Sequence, residues 1–124
     1  MEELSHGKAP GAVRAWAANL PPWSRVVKIK STIVTGISSL HAGEREVITC
    51  ALEEPGLIVL MDERRGCLDA RGRSLVVIGT LAVLDVAAAK GWIDLPMMFT
   101  RLRATSFRTP LRLMARMLEQ DALR

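Results

Sequence analysis

Apolar and polar positions along this chain repeat with two different periods. Val13, Trp16, Ala17 and Leu20 recur at helical spacing after Pro10, which suits the first turn of a helix, and before Pro21-Pro22, which cannot continue one. Residues 1–7 read as the end of an earlier helix stopped by Gly7. Residues 25–29 predict a strand, and residues 30–41, rich in Ser, Thr and Gly, predict a loop with a short apolar piece at Ile33-Val34. Val47, Ile48, Ala51 and Leu52 form the apolar face of a predicted helix over residues 44–54, which Pro55-Gly56 ends.

The pattern then changes. Leu57-Ile58-Val59-Leu60-Met61 is an unbroken apolar run, predicting a strand buried on both faces, as in a parallel sheet. Asp62-Glu63-Arg64-Arg65 follows, opening a short helix to about Gly72, and residues 75–78 predict a second buried strand. Gly79-Thr80 turns into a helix over residues 81–90, with Thr80 as its N-cap and Gly91 after its end. Asp94 with Pro96 starts a further helix, and Thr109 with Pro110 the last one. Helices alternating with short buried strands predict an α/β fold with a parallel sheet, whose ligands bind beyond the carboxyl ends of the strands. Asp62-Glu63 and Gly79-Thr80 are the residues at those ends.

Composition narrows the function classes. The chain has 124 residues, enough for one hydrophobic core and a single domain, and 49% are hydrophobic, which excludes wholesale disorder. A net charge of +4 favours a polyanionic partner only weakly. Aromatic residues make up 4%, too few for a base-stacking platform. The apolar runs are too short for a bilayer, and Cys50, Cys67, His6 and His41 have no ligand spacing, which excludes a Cys/His metal site. Two cysteines without a signal peptide point to a reducing cytoplasm.

Glu44 stands in the first turn of its helix, which in a parallel α/β layer lies near the carboxyl ends of the strands, so Glu44 and Asp62 are expected to converge. Converging carboxylates suit a hard divalent cation such as Mg²⁺ or Mn²⁺, with Arg64, Arg65 and Arg71 available to phosphates. Plainer roles fit the same residues. An acid in a first helical turn complements the helix dipole, Asp62 suits an N-cap of the helix after it, and Thr80 suits an N-cap more than a phosphate contact. Asp69 and Asp85 are expected in solvent, His6 and His41 at the surface, and Cys50 in the core. Leu111, Met114, Met117 and Leu118 form one stripe of the last helix, which either packs on the domain or meets a partner peptide.

Three segments together resemble a prokaryotic subgroup of the PIN-domain family, related to VapC-type toxins: the Gly43-Glu44 helix start, the strand ending Asp62-Glu63-Arg64, and the Gly79-Thr80-Leu81 helix start with Lys90-Gly91 downstream. The resemblance covers residues 40–124 well and residues 1–30 loosely. It implies a three-layer α/β/α, Rossmann-like fold and an endoribonuclease using Mg²⁺ or Mn²⁺. By position it implies Glu44 and Asp62 as catalytic acids and, with them, Glu3 and Glu63 as metal ligands; Arg64, Arg65 and Thr80 are the residues expected to contact nucleic acid. It also implies RNA as partner, with a small antitoxin protein, and no membrane. Cys67 departs from the pattern, standing where a basic residue is common.

Family members begin with a strand bearing an early Asp, a helix and a second strand, so this chain is expected to lack the first β-α-β unit and one acid of the site. An open apolar sheet edge, and with it a homo-oligomer, is the expected consequence. A non-catalytic module binding nucleic acid or an antitoxin is the second reading. A doubly wound domain holding a phosphorylated ligand at Gly79-Thr80 is the third, although no Gly-x-Gly-x-x-Gly or Walker-type loop occurs.

Overall fold

A computed structural model describes residues 1–30 and 40–124, as two compact units, Met1–Lys30 and Ser31–Arg124. The expected loop over residues 30–41, with Ile33-Val34, falls almost wholly outside the described residues.

The first unit contains α1 (Glu2–Ser5) and α2 (Gly11–Ala18). Ala17 is the buried residue of α2, and the Asn19 N–H, bonded to the Trp16 carbonyl, closes the helix. The strand expected over residues 25–29 does not form. A strand needs a neighbour to take its backbone hydrogen bonds; these residues have no ladder among the described residues, and Val26 and Val27 are exposed.

In the second unit α3 (Ala42–Glu53) leads to β1 (Ile58–Leu60), and α4 (Arg64–Gly72) crosses over to β2 (Val76–Ile78). The strands are parallel, with Ile58 beside Val76, Val59 beside Val77 and Leu60 beside Ile78. Gly56, at φ 89°, makes the turn into β1, a conformation that needs no Cβ to be accommodated. Ile48, Ala51, Val59, Met61 and Ala70 form the core between this sheet and α3 and α4.

The expectation of strands buried on both faces is corrected. Val59 is 2% exposed, but Ile58 is 61%, Leu60 59% and Val76 59% exposed. Successive side chains of a strand point to opposite faces, and among the described residues α3 and α4 cover one face only. An unbroken apolar run does not reveal which of its faces is covered.

A second core of Leu81, Leu95, Phe99, Met114 and Met117 joins α5 (Thr80–Ala89), α6 (Leu95–Arg103) and α7 (Leu111–Asp121). The Asp94 carboxylate caps α6 by accepting from the Met97 N–H at 2.7 Å. Met114 and Met117 are buried, so the α7 stripe packs on the domain and is not offered to a partner peptide. Asp69 and Asp85 are not simply solvated: Asp69 pairs with Arg73 at 2.9 Å and Asp85 with Arg124 at 2.5 Å. No helix among the described residues is long and apolar enough to cross a membrane.

Candidate functional site

The register of the two strands builds the site. Leu60 lies beside Ile78, and the Met61 N–H extends the ladder by donating to the Ile78 carbonyl at 2.9 Å. Two residues beyond each member of that last pair stand Asp62 and Thr80, at one level past the carboxyl ends of the strands. The Thr80 N–H donates to Asp62 Oδ1 at 2.9 Å and the Thr80 hydroxyl to Asp62 Oδ2 at 2.5 Å. Asp62 therefore caps α5, not the helix that follows it in the chain, and its charge sits at the positive end of the α5 dipole. Thr80 is not the N-cap expected of it: Gly79 holds that position and Thr80 is the first helical residue, with its N–H and its hydroxyl both donating to Asp62.

Gly79 permits this contact. A Cβ on Gly79 would stand 2.7 Å from Asp62 Oδ1, closer than real Cβ atoms come to a neighbour. Gly66, on the neighbouring helix α4, is constrained in the same way: a Cβ there would overlap Met61 Sδ.

Glu63 takes the N-cap of α4, its Oε2 accepting from the Gly66 N–H at 2.7 Å. The backbone N–H groups of Gly66 and Arg65 hold its carboxyl below the usual carboxylate range, and the charges of Arg65 and His41 act in the same direction. His41 is the N-cap residue of α3, and its N–H donates to Glu44 Oε2 at 3.0 Å. Cys67 lies behind this rim, its Sγ donating to the Met61 carbonyl at 3.3 Å. Burial pushes its thiol up, Arg71 opposes that, and Asp62 and Glu63 add to it.

Asp62 and Thr80 are thus bonded to each other beyond the ends of the two strands, Glu63 follows Asp62 in the chain and caps α4, and Glu44 accepts the N–H of His41 at the start of its own helix. Arg64 and Arg65 are exposed in the first turn of α4, and Arg71 is exposed near its end. Glu3 is exposed on α1, in the first unit. Among the described residues no group of three or more His, Cys, Asp or Glu is close enough to hold a metal ion by itself. The donors are nevertheless of the right kind. Magnesium keeps several waters and is commonly bound by one or two carboxylates together with substrate phosphates, a demand that Asp62 with one neighbouring acid meets.

The steric role of Gly79 is not visible in the sequence. Gly-Thr directly after a strand is the available signal, and it points equally well to a phosphate. A shallow groove at the opposite ends of the strands, lined by Leu52, Leu57, Ile58, Leu75 and Val76 among others, contains no titratable side chain and is unsuited to this chemistry.

A family model described as a PIN domain, DUF3368, matches residues 1–122. No curated protein and no solved structure matches the chain.

Proposed function

We propose, because the chain belongs to the PIN-domain family, that it is a metal-dependent endoribonuclease of the VapC toxin type. Family membership makes it a nuclease-type domain whose partner is nucleic acid. The observation that carries the finer reading is the Asp62 carboxylate, held at both oxygens by Thr80 beyond the ends of two parallel strands.

Asp62 and Glu44 are the catalytic acids of this proposal. Glu63 and, through the resemblance, Glu3 are further ligands of Mg²⁺ or Mn²⁺. When bound, such an ion polarises a phosphodiester and supplies hydroxide at neutral pH. Asp62 keeps one orientation because Thr80 fixes it, so its remaining lone pairs face the same place before and after RNA arrives. Arg64 and Arg65 meet phosphate oxygens from the first turn of α4, where the backbone also favours an anion. An antitoxin partner and a cytoplasmic setting belong to the same proposal; free Cys50 and Cys67 support the latter.

Calorimetric titration of Mn²⁺ into the wild type and Asp62→Asn, beside an RNA cleavage assay with and without chelator, tests the reading. Weaker Mn²⁺ binding and lost cleavage in the variant are expected. Equal binding by both proteins would remove Asp62 from the site.

A second reading is favoured by the absence, among the described residues, of three acids close enough to hold an ion. In it the chain is a non-catalytic module that binds nucleic acid or an antitoxin. RNA binding indifferent to chelator, with no cleavage, would establish it.

A further inference from the structure

The basic side chains of the last two helices and of their connection form no ion pair among the described residues. Arg101 and Arg103 close α6, Arg108 lies in the connection, and Arg112 and Arg116 stand one turn apart on α7; all five are exposed. The acids of the segment are mostly engaged: Asp94 caps α6 and Asp121 binds Arg124 at 2.8 Å, which leaves Glu119 to offset the arginines of α7.

The helix dipole accounts for Arg101 and Arg103, which lie at a carboxyl end, but not for Arg112. A cation in the first turn of α7 faces the positive end of the dipole, an arrangement that stability alone disfavours. Arg112 and Arg116 also repel each other at this spacing. An anionic ligand relieves both.

We propose that the side of α7 that bears Arg112 and Arg116 is a phosphate-backbone surface, which holds a nucleic-acid strand by its phosphodiesters without reading its bases. The proposal rests on the reading of RNA as substrate and adds to it a second place of contact, built from residues outside the acidic rim. Guanidinium groups match phosphate oxygens in a two-pronged fashion. The composition of the face argues against an acidic protein, because protein interfaces have an apolar core inside a polar rim. Met114 and Met117 of α7 are turned inward, and of the exposed apolar residues Met97, Leu111 and Leu113 of α6 and α7, the two on α7 are two residues apart, hence on different sides of that helix. Neither α6, α7 nor their connection offers an exposed aromatic for stacking on bases, since Phe99 is buried and Phe107 half-buried.

The test is fluorescence anisotropy of a labelled RNA hairpin against the whole chain, in chelator, over a range of salt concentrations. Replacing Arg112 and Arg116 with Gln is expected to reduce the slope of log affinity against log salt by about two, roughly one for each lost phosphate contact. Arg14→Gln with Arg25→Gln removes the same charge elsewhere and is expected to leave the slope unchanged. Melting curves of both double variants show whether they fold. Equal slopes in all three proteins, or equal losses in both double variants, overturn the proposal. So does tight binding of polyglutamate with the same arginine dependence in place of RNA. Mn²⁺-dependent cleavage is read separately: cleavage without arginine-dependent binding sinks this inference alone, and binding without cleavage sinks the nuclease reading alone.

Discussion

Thr80 holds both carboxylate oxygens of Asp62, one through its backbone N–H at 2.9 Å and the other through its hydroxyl at 2.5 Å. The two residues are 18 positions apart, and the register of the parallel strands puts them at one level. The contact joins the sheet to the helical half of the second unit and aims the acid that leads the proposed chemistry. Thr80→Val removes one of the two bonds without changing side-chain size much. It should cost about 1 kcal/mol of stability and weaken Mn²⁺ binding. Thr80→Ser should restore Mn²⁺ affinity, which a purely structural role for the methyl group would not allow. Thermal melting and calorimetric titration of the three proteins check both points.

Gly79→Ala tests the same contact by steric means. The added Cβ pushes on Asp62 Oδ1, and the carboxylate can yield only by leaving Thr80. Mn²⁺ affinity should fall more than stability does. Unchanged Mn²⁺ binding in a folded Gly79→Ala protein would show that the ion does not depend on where Asp62 points.

The cap of α4 sets a pH dependence. The carboxyl of Glu63 is held below its ordinary value by the N–H groups of Gly66 and Arg65. Its contribution to stability is therefore present above the ordinary carboxylate range and lost as pH falls through the lowered value. Glu63→Gln should melt earlier than wild type near neutral pH, and the difference should shrink to nothing in strong acid. A constant difference across that range would mean that the charge of Glu63 contributes nothing to the cap.

Ile58, Leu60 and Val76 leave one apolar face of a two-stranded sheet exposed. Such a face, flanked by strand edges without a further strand among the described residues, favours association between chains. Sedimentation velocity should show concentration-dependent association, reduced by Ile58→Lys with Leu60→Lys. A wild-type monomer at every concentration contradicts this.

Periodicity and punctuation alone are enough to locate the long helices, both strands and the positions of Asp62, Glu63 and Gly79-Thr80, because these features are local. Pro21-Pro22 and Pro55-Gly56 end helices because of their own backbone chemistry, and a five-residue apolar run before two acids reads as a strand end from local pattern alone. Helix α7 is equally legible, since its apolar stripe repeats at helical spacing. The partners of those residues are another matter. Asp62 caps α5 and not α4, Thr80 donates to a carboxylate across the strand ends, and among the described residues one face of the sheet stays bare, as the register of β1 on β2 and the placement of α3 and α4 dictate. Residues 25–29 have strand-like composition but no neighbouring strand among the described residues. Pairing across 18 residues and the covering of a face are properties of packing, in which elements compete for each other, and no local pattern encodes the outcome.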